Sequence, residues 1–231
     1  MPLTTLLLWD IDGTLITSGG AGMRALRAAL QAVFAIDGTI NDIDFAGRTD
    51  RWIMRQIFAK FSLPATEENF TRMADGYVAA LPDQLADRGV RPLPGIPALL
   101  DGAVARGDVA LGLLTGNLRR GAEAKLRSRD LWRYFPFGAF ADDGEDRNHL
   151  GPHALRRARR HHGVDFPAAH TWVIGDTPYD VVCARAFGAR AAAVATGRYS
   201  AEQLQAAGPD AVFADLGNLA AFWRLVDAGR A

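Results

Sequence analysis

Two aspartates two residues apart, Asp10 and Asp12, close the apolar run Thr5-Leu6-Leu7-Leu8-Trp9 and are followed at once by Gly13-Thr14. A run this short and this apolar suits a buried parallel strand, and Asp-Gly ends it as a turn does. Residues two apart on a strand face the same side, so both carboxyl groups can address one substrate, one attacking while the other moves protons. The plain alternative is a hairpin turn flanked by acids, and two further clusters argue against it. In Val173-Ile174-Gly175-Asp176-Thr177-Pro178-Tyr179-Asp180 another apolar run ends in two acids four apart, with Pro178 fixing the turn into a helix. Carboxylate oxygens suit magnesium, which keeps several waters and needs only one or two protein carboxylates; otherwise Asp176 and Asp180 only cap and solvate a helix start. In Leu113-Leu114-Thr115-Gly116-Asn117 a phosphate could accept from Thr115 and from the backbone N–H groups of Gly116 and Asn117. Alone, that triplet is only a helix-start signal.

Elements that alternate between strand and helix must position these groups. Helical periodicity runs over Met23 to Phe34, after a Ser18-Gly19-Gly20-Ala21-Gly22 segment that reads as a hinge. It continues over Asp50 to Phe61, with Asp50 as candidate N-cap, and over Thr66 to Arg88, with Thr66 capping and Glu67 and Glu68 in the first turn. No strand is expected from residue 15 to about residue 90, and Arg91-Pro92-Leu93-Pro94-Gly95 reads as a return linker. Beyond it come a helix from Pro97 to Arg106, a strand over Val109 to Leu114, a helix over Leu118 to Arg129 and an extended piece near Ala139 to Ala141. Pro152 opens the next helix. The strand Thr171 to Ile174, the helix Tyr179 to Phe187, the strand Ala191 to Ala195, the helix Ala201 to Ala207 and a strand at Ala211 to Phe213 complete the reading. Strands separated by helices at this spacing imply a parallel sheet with right-handed crossovers, and ligands belong at the carboxyl ends of its strands.

Composition narrows the class. The chain has 231 residues, 49% of them hydrophobic, enough for one large domain or a core with a smaller insert. Lysine plus arginine and aspartate plus glutamate balance at 26 each, so no nucleic-acid or anionic-membrane partner held by bulk charge is expected. One cysteine, Cys183, leaves no intramolecular disulfide and fits a reducing compartment. With no run of membrane-spanning length and no basic N-terminal segment with a cleavage site, the expected location is the cytoplasm.

Taken together, Asp-Ile-Asp-Gly-Thr at 10–14, Thr-Gly-Asn at 115–117 and Gly-Asp-Thr-Pro-Tyr-Asp at 175–180 resemble, in order, the first, second and fourth motifs of the haloacid dehalogenase superfamily of aspartate-nucleophile phosphatases. The resemblance spans nearly the whole chain. It implies a Rossmann-like, doubly wound α/β core (residues 1–14 and 91–231) with a small α-helical cap inserted after the first strand (residues 15–90), in the subclass that includes phosphoglycolate and hexose-phosphate phosphatases. It further implies Asp10 as nucleophile, Asp12 as general acid and base, and Thr115 as the group orienting the phosphoryl. Magnesium would be held by Asp10, the backbone carbonyl of Asp12 and Asp176, with Asp180 ligating through water or bracing the loop. The family's third motif usually supplies a lysine, and none stands at that place. Arg147, in Asp146-Arg147-Asn148-His149-Leu150-Gly151-Pro152, sits at the matching distance and takes the part, since such a site needs a cation to balance its charges. Lys125 is the other candidate nearby, but it lies mid-helix in Ala124-Lys125-Leu126, where a solvated face is the favoured reading.

In the cap, Arg48 of Phe45-Ala46-Gly47-Arg48-Thr49-Asp50 is a candidate for recognising the leaving group, with a surface or Asp50-paired arginine as the competing reading. The expected activity is magnesium-dependent hydrolysis of a small phosphorylated metabolite by a monomer or homodimer. A phosphomutase would use the same motifs. A receiver-like phospho-switch would lack an Asp two residues after its phosphoacceptor, and a dehalogenase would not need Asp12, Asp176 or Asp180. Other features take plain readings. Gly20-Ala21-Gly22-Met23-Arg24-Ala25 is too far from a strand for a dinucleotide site. Gly151-Pro152 separates His149 from His153, Arg156 to His162 forms a solvated helix face, and Cys183 packs.

Overall fold

The apolar run at the N-terminus forms β1 (Thr5–Trp9), buried at every residue because both of its faces are covered. The computed structural model describes residues 3–86 and 89–229. After β1 come β2 (Ile16–Thr17), α1 (Ala21–Phe34), α2 (Asp50–Lys60), α3 (Glu67–Leu85), β3 (Arg91–Pro92), α4 (Ile96–Arg106), β4 (Val109–Leu114) and α5 (Arg119–Arg127). There follow β5 (Gly138–Ala139), α6 (Gly151–His162), β6 (Thr171–Gly175), α7 (Pro178–Ala186), β7 (Arg190–Val194), α8 (Ala201–Ala206), β8 (Ala211–Phe213) and α9 (Leu219–Ala228).

Six strands form one parallel sheet in the order β5-β4-β1-β6-β7-β8. Alternate residues of β1 feed two separate apolar layers. Leu6 and Leu8 pack with Ala154, Val181 and Leu204 from α6, α7 and α8. Leu7 and Trp9 pack with Leu99, Leu126 and Phe222 from α4, α5 and α9. The sheet is therefore doubly wound and α/β, as the strand–helix alternation requires. From β1 the chain builds β4 and β5 on one side and then returns to build β6, β7 and β8 on the other. The crevice beside β1 is thus the switch point, where ligands of such sheets bind.

The helices α1, α2 and α3 lie between β2 and β3, which pair antiparallel through Ile16↔Pro92 and Thr17↔Arg91. Both strands are two residues long, too short for any periodicity, which is why the sequence pattern indicated no strand after residue 15 and a plain linker at 91–95. The helix α2 is capped by Thr49, whose hydroxyl accepts from the Trp52 N–H; Asp50 is its first helical residue and not the cap. Thr66 caps α3 as expected, and the expected end of that helix at Arg88 lies outside the described residues. Ala21 and Gly22 belong to α1, so only Ser18 to Gly20 of the expected hinge are non-helical. The final helix α9 has no counterpart in the sequence reading. Among the described residues no helix is long and apolar enough to cross a membrane.

Candidate active site

Three adjacent strands end at one place. β4 and β6 flank β1, so their carboxyl ends bring Thr115, Asp10 and Asp176 together, and all three are buried. Asp10 is fixed by its own N–H, which donates to the Ile174 carbonyl at 2.9 Å. Carboxylate oxygens of Asp10, Asp176 and Asp180 all lie within 4.8 Å of one another. Glycines make this crowding possible. A Cβ on Gly13, whose φ is +86°, or on Gly197 would collide with the Asp176 carboxylate, and one on Gly175 would collide with that of Asp180. Thr14 Oγ1 donates to Asp176 Oδ1 at 3.1 Å and fixes its orientation.

Arg147 is buried among these acids, with Nη2 3.1 Å from Asp10 Oδ1 and an ion pair to Asp180 Oδ1. Asp180 Oδ2 accepts from the Thr177 N–H at 3.0 Å and from its hydroxyl at 2.7 Å, so Asp180 braces both Arg147 and the start of α7. One guanidinium faces three carboxylates, and the deficit shows in proton affinities. Burial pushes Asp10 up to about 6, against the pull of Arg147. Burial and the charges of Asp10 and Asp180 hold Asp176 well above the ordinary carboxylate range. Three buried hard-oxygen donors short of positive charge fit a divalent cation such as magnesium, and the absence of histidine or thiol donors among them does not favour zinc.

Asp12 has a different neighbour. Its Oδ2 accepts from Lys125 Nζ at 2.6 Å and from Asn117 Nδ2 at 2.9 Å. Burial would raise its pKa, but the Lys125 ammonium and these hydrogen bonds hold it below the usual range. Lys125 is 3% exposed, and its assignment to a solvated face is therefore incorrect. Gly121, Ala122, Lys125 and Leu126 form the buried stripe of α5. The spacing of Lys125 from Gly121 and Ala122 carried that signal, but a charged residue was read as outward-facing. Asn117 joins the same network through Nδ2 to Thr115 Oγ1 at 2.9 Å, and its own N–H points back to that hydroxyl at 3.3 Å.

The cap closes over this floor through α2. Asp50 Oδ2 accepts from the Leu118 N–H at 2.8 Å, and Asp142 Oδ2 accepts from the Arg119 N–H at 2.6 Å, so the first free amides of α5 are capped by residues distant in sequence. The Asp50 N–H donates to the Gly116 carbonyl at 2.6 Å, and Gly116 admits the Arg48 carbonyl where any Cβ would collide. Burial pushes the Asp50 carboxyl up to about 6. Arg48 forms no ion pair with Asp50. Its guanidinium lies between the rings of Trp52 (4.6 Å) and the core residue Tyr179 (4.3 Å), with Nε 3.9 Å from Asp44. From the core, Arg198 reaches Asp44 at 2.9 Å. A cavity of about 620 Å³ lies between cap and core, lined by Asp10, Asp12, Arg48, Asn117, Arg147 and Asp176 among others.

Sequence reading missed Lys125, Asp50 and Thr14, whose roles arise from partners 68 to 162 residues away. The plain readings of other groups fit their positions. His149 is exposed and His153 faces Asp143, while Cys183 is buried with its thiol on the Arg147 carbonyl. Arg157 departs from the solvated face, reaching Asp143 and the Gly138 carbonyl.

Residues 7–185 match the family described as haloacid dehalogenase-like hydrolase, and the chain belongs to that family. It is thus an enzyme of the hydrolase class. Two relatives are each 26% identical to it. One is a probable phosphatase, IndB, of Dickeya dadantii, matched over 90% of this chain and 88% of its own. The other is a phosphoglycolate phosphatase of Agrobacterium fabrum, matched over 100% and 97%. Among solved structures, CbbY from Rhodobacter sphaeroides in complex with phosphate superposes with a TM-score of 0.72 at 19% identity, covering 94% of this chain and 96% of that one, which establishes the shared fold.

Proposed function

We propose that this chain is a magnesium-dependent phosphatase that hydrolyses a small phosphorylated metabolite through an aspartyl-phosphate on Asp10. The observation that carries the reading is the Asp10 carboxylate, buried within 4.8 Å of Asp176 and Asp180 and 3.1 Å from the Arg147 guanidinium. The names of both relatives support phosphate-ester hydrolysis as the chemistry. Asp10, the Asp12 backbone carbonyl and Asp176 would hold the magnesium, with Asp180 bracing; when bound, the ion supplies positive charge against the phosphate dianion. Arg147 supplies the protein's own charge at the same place. Thr115 and the amides of Gly116 and Asn117 orient the phosphoryl oxygens. Asp10 attacks phosphorus, the ester P–O bond breaks, and the leaving oxygen takes a proton from Asp12. The dianionic substrate favours that protonated form by adding negative charge beside Asp12. As a carboxylate, Asp12 then removes a proton from water, which attacks the aspartyl-phosphate and releases phosphate. Nothing in this chemistry calls for nucleic acid or membrane, and the reading takes the enzyme as a cytoplasmic monomer or homodimer.

Turnover of an aryl phosphate is expected to vanish on exhaustive chelation and to return with magnesium. Undiminished turnover after chelation would contradict the metal assignment.

The cap sets the choice of substrate in this reading. Arg48 is held by two rings and lines the cavity, so a substrate anion reaching its guanidinium gains a charge-assisted hydrogen bond. Arg48→Ala is expected to raise KM for phosphorylated acids about tenfold or more, the loss of one such bond. Turnover of a small aryl phosphate should stay within about threefold, because the core groups are untouched. Equal losses on every substrate would assign Arg48 to cap closure instead.

A further inference from the structure

We infer that Lys125 is a positioning residue for Asp12, pinning its carboxylate together with Asn117 so that the aspartyl-phosphate on Asp10 can be hydrolysed. The inference rests on the phosphatase reading above and assigns a role to a residue outside its motifs.

Both donors converge on one oxygen. Lys125 Nζ and Asn117 Nδ2 donate to Asp12 Oδ2 at 2.6 and 2.9 Å, and Lys125 Nζ also donates to Asn117 Oδ1 at 2.5 Å. The three side chains form a closed triangle, which fixes the plane of the carboxylate and not merely its position. The Asp12 side chain remains about a third exposed and lines the cavity, so the pinned carboxylate still meets the leaving group and water there.

The surroundings hold the ammonium in place. Gly121 of α5 leaves the space, since a Cβ on it would stand 2.9 Å from the Tyr77 ring, and Gly22 of α1 borders the ammonium at ordinary contact distance. Tyr77, from α3 of the cap, is fully buried at this spot, so the ammonium is enclosed by core and cap together. Burial lowers the proton affinity of Lys125, but Asp12, Tyr77 and Asp50 together outweigh it and keep the lysine protonated. Arg147 serves Asp10 and Lys125 serves Asp12, so the two cations buried at the site among the described residues are divided between its two working carboxylates. A buried ion pair of purely structural value would look similar in the resting protein. The two roles differ in which chemical step fails when the lysine is removed.

The test uses the full-length protein with an aryl phosphate, whose leaving group needs little protonation. Lys125→Met, close in length, is expected to lower kcat on the order of a hundredfold, the scale of a misplaced catalytic group, with KM changed less than about threefold. Intact-protein mass spectrometry of acid-quenched samples should show a larger steady-state fraction of phosphorylated Asp10 than in the wild type, because attack proceeds while hydrolysis stalls. Lys125→Gln, which keeps a donor, should recover part of the rate and provides a second variant should the methionine protein not fold. In an Asp12→Asn background, Lys125→Met should cost less than about threefold more, since its effect passes through Asp12. Turnover by Lys125→Met within about threefold of wild type would overturn the proposal. So would a loss of turnover with no rise in phosphorylated Asp10, or a full multiplicative loss in the Asp12→Asn background. Active wild-type enzyme that never carries phosphate on Asp10 would remove the parent reading, and this inference with it.

Discussion

Asp10→Asn is expected to reduce turnover by about 10⁴-fold or more, the range in which removing a covalent nucleophile places an enzyme, and to leave no phosphorylated protein at any time. The substitution is nearly isosteric and lies in a crowded floor where Asp10 meets Arg147 and the other two acids. It removes one of three mutually repelling carboxylates, so the fold should be retained or made more stable. A loss of activity that accompanies retained stability isolates the chemical role. Asp12→Asn fails later. Asp10 can still attack, but no carboxylate remains to activate water for the second step, so turnover collapses while the phosphorylated form persists. Stopped-time assays of the two variants, with thermal melts alongside, check this division of labour. Full turnover by Asp10→Asn would exclude Asp10 as nucleophile.

The second large effect is expected at Arg147. Arg147→Ala should lower kcat on the order of a hundredfold or more, the loss of one preorganised electrostatic donor at the reacting centre. It also leaves Asp10 and Asp180 without their shared cation, and breaking a buried pair of this kind costs about 3–5 kcal/mol. Activity must therefore be measured on protein shown to be folded, at a temperature well below its melting point. Arg147→Lys should restore part of the rate as a point charge, without the two-oxygen reach that the guanidinium has toward Asp10 and Asp180. If Arg147→Ala is fully active and Lys125→Met inactive, the lysine takes over the charge-balancing part.

What the sequence disclosed followed from local physics. Fully apolar runs such as Leu6-Leu7-Leu8-Trp9 mark strands covered on both sides, and the acids that end them mark the sheet edge where the site forms. Thr66, as a helix cap, and Pro178, at a helix start, were visible because their action reaches only three or four residues. Asp50 was misread as a cap because the rule for helix starts does not distinguish it from Thr49, whereas its actual partner, the Leu118 amide, is 68 residues away. Lys125 was misplaced for a related reason. Its spacing from Gly121 and Ala122 places it on the buried stripe of α5, but the partner that stabilises it there, Asp12, stands 113 residues upstream, beyond the reach of any local pattern. The two-residue strands β2 and β3 hold each other and have no pattern apart from their pairing. The family motifs captured the floor of the site. The groups that set the state of Asp12 and the closure of the cap come from tertiary pairing.

The most direct test of the whole account is the location of phosphate on the protein. The Asp12→Asn variant, loaded with magnesium and an aryl phosphate, is quenched in acid and digested, and the modified peptide is identified by mass spectrometry. One phosphoryl group is expected on the peptide containing Asp10, removable by hydroxylamine as an acyl phosphate is, and absent when Asp10 is also asparagine. Phosphate on a serine, threonine or histidine, or label that survives the loss of Asp10, would contradict the mechanism.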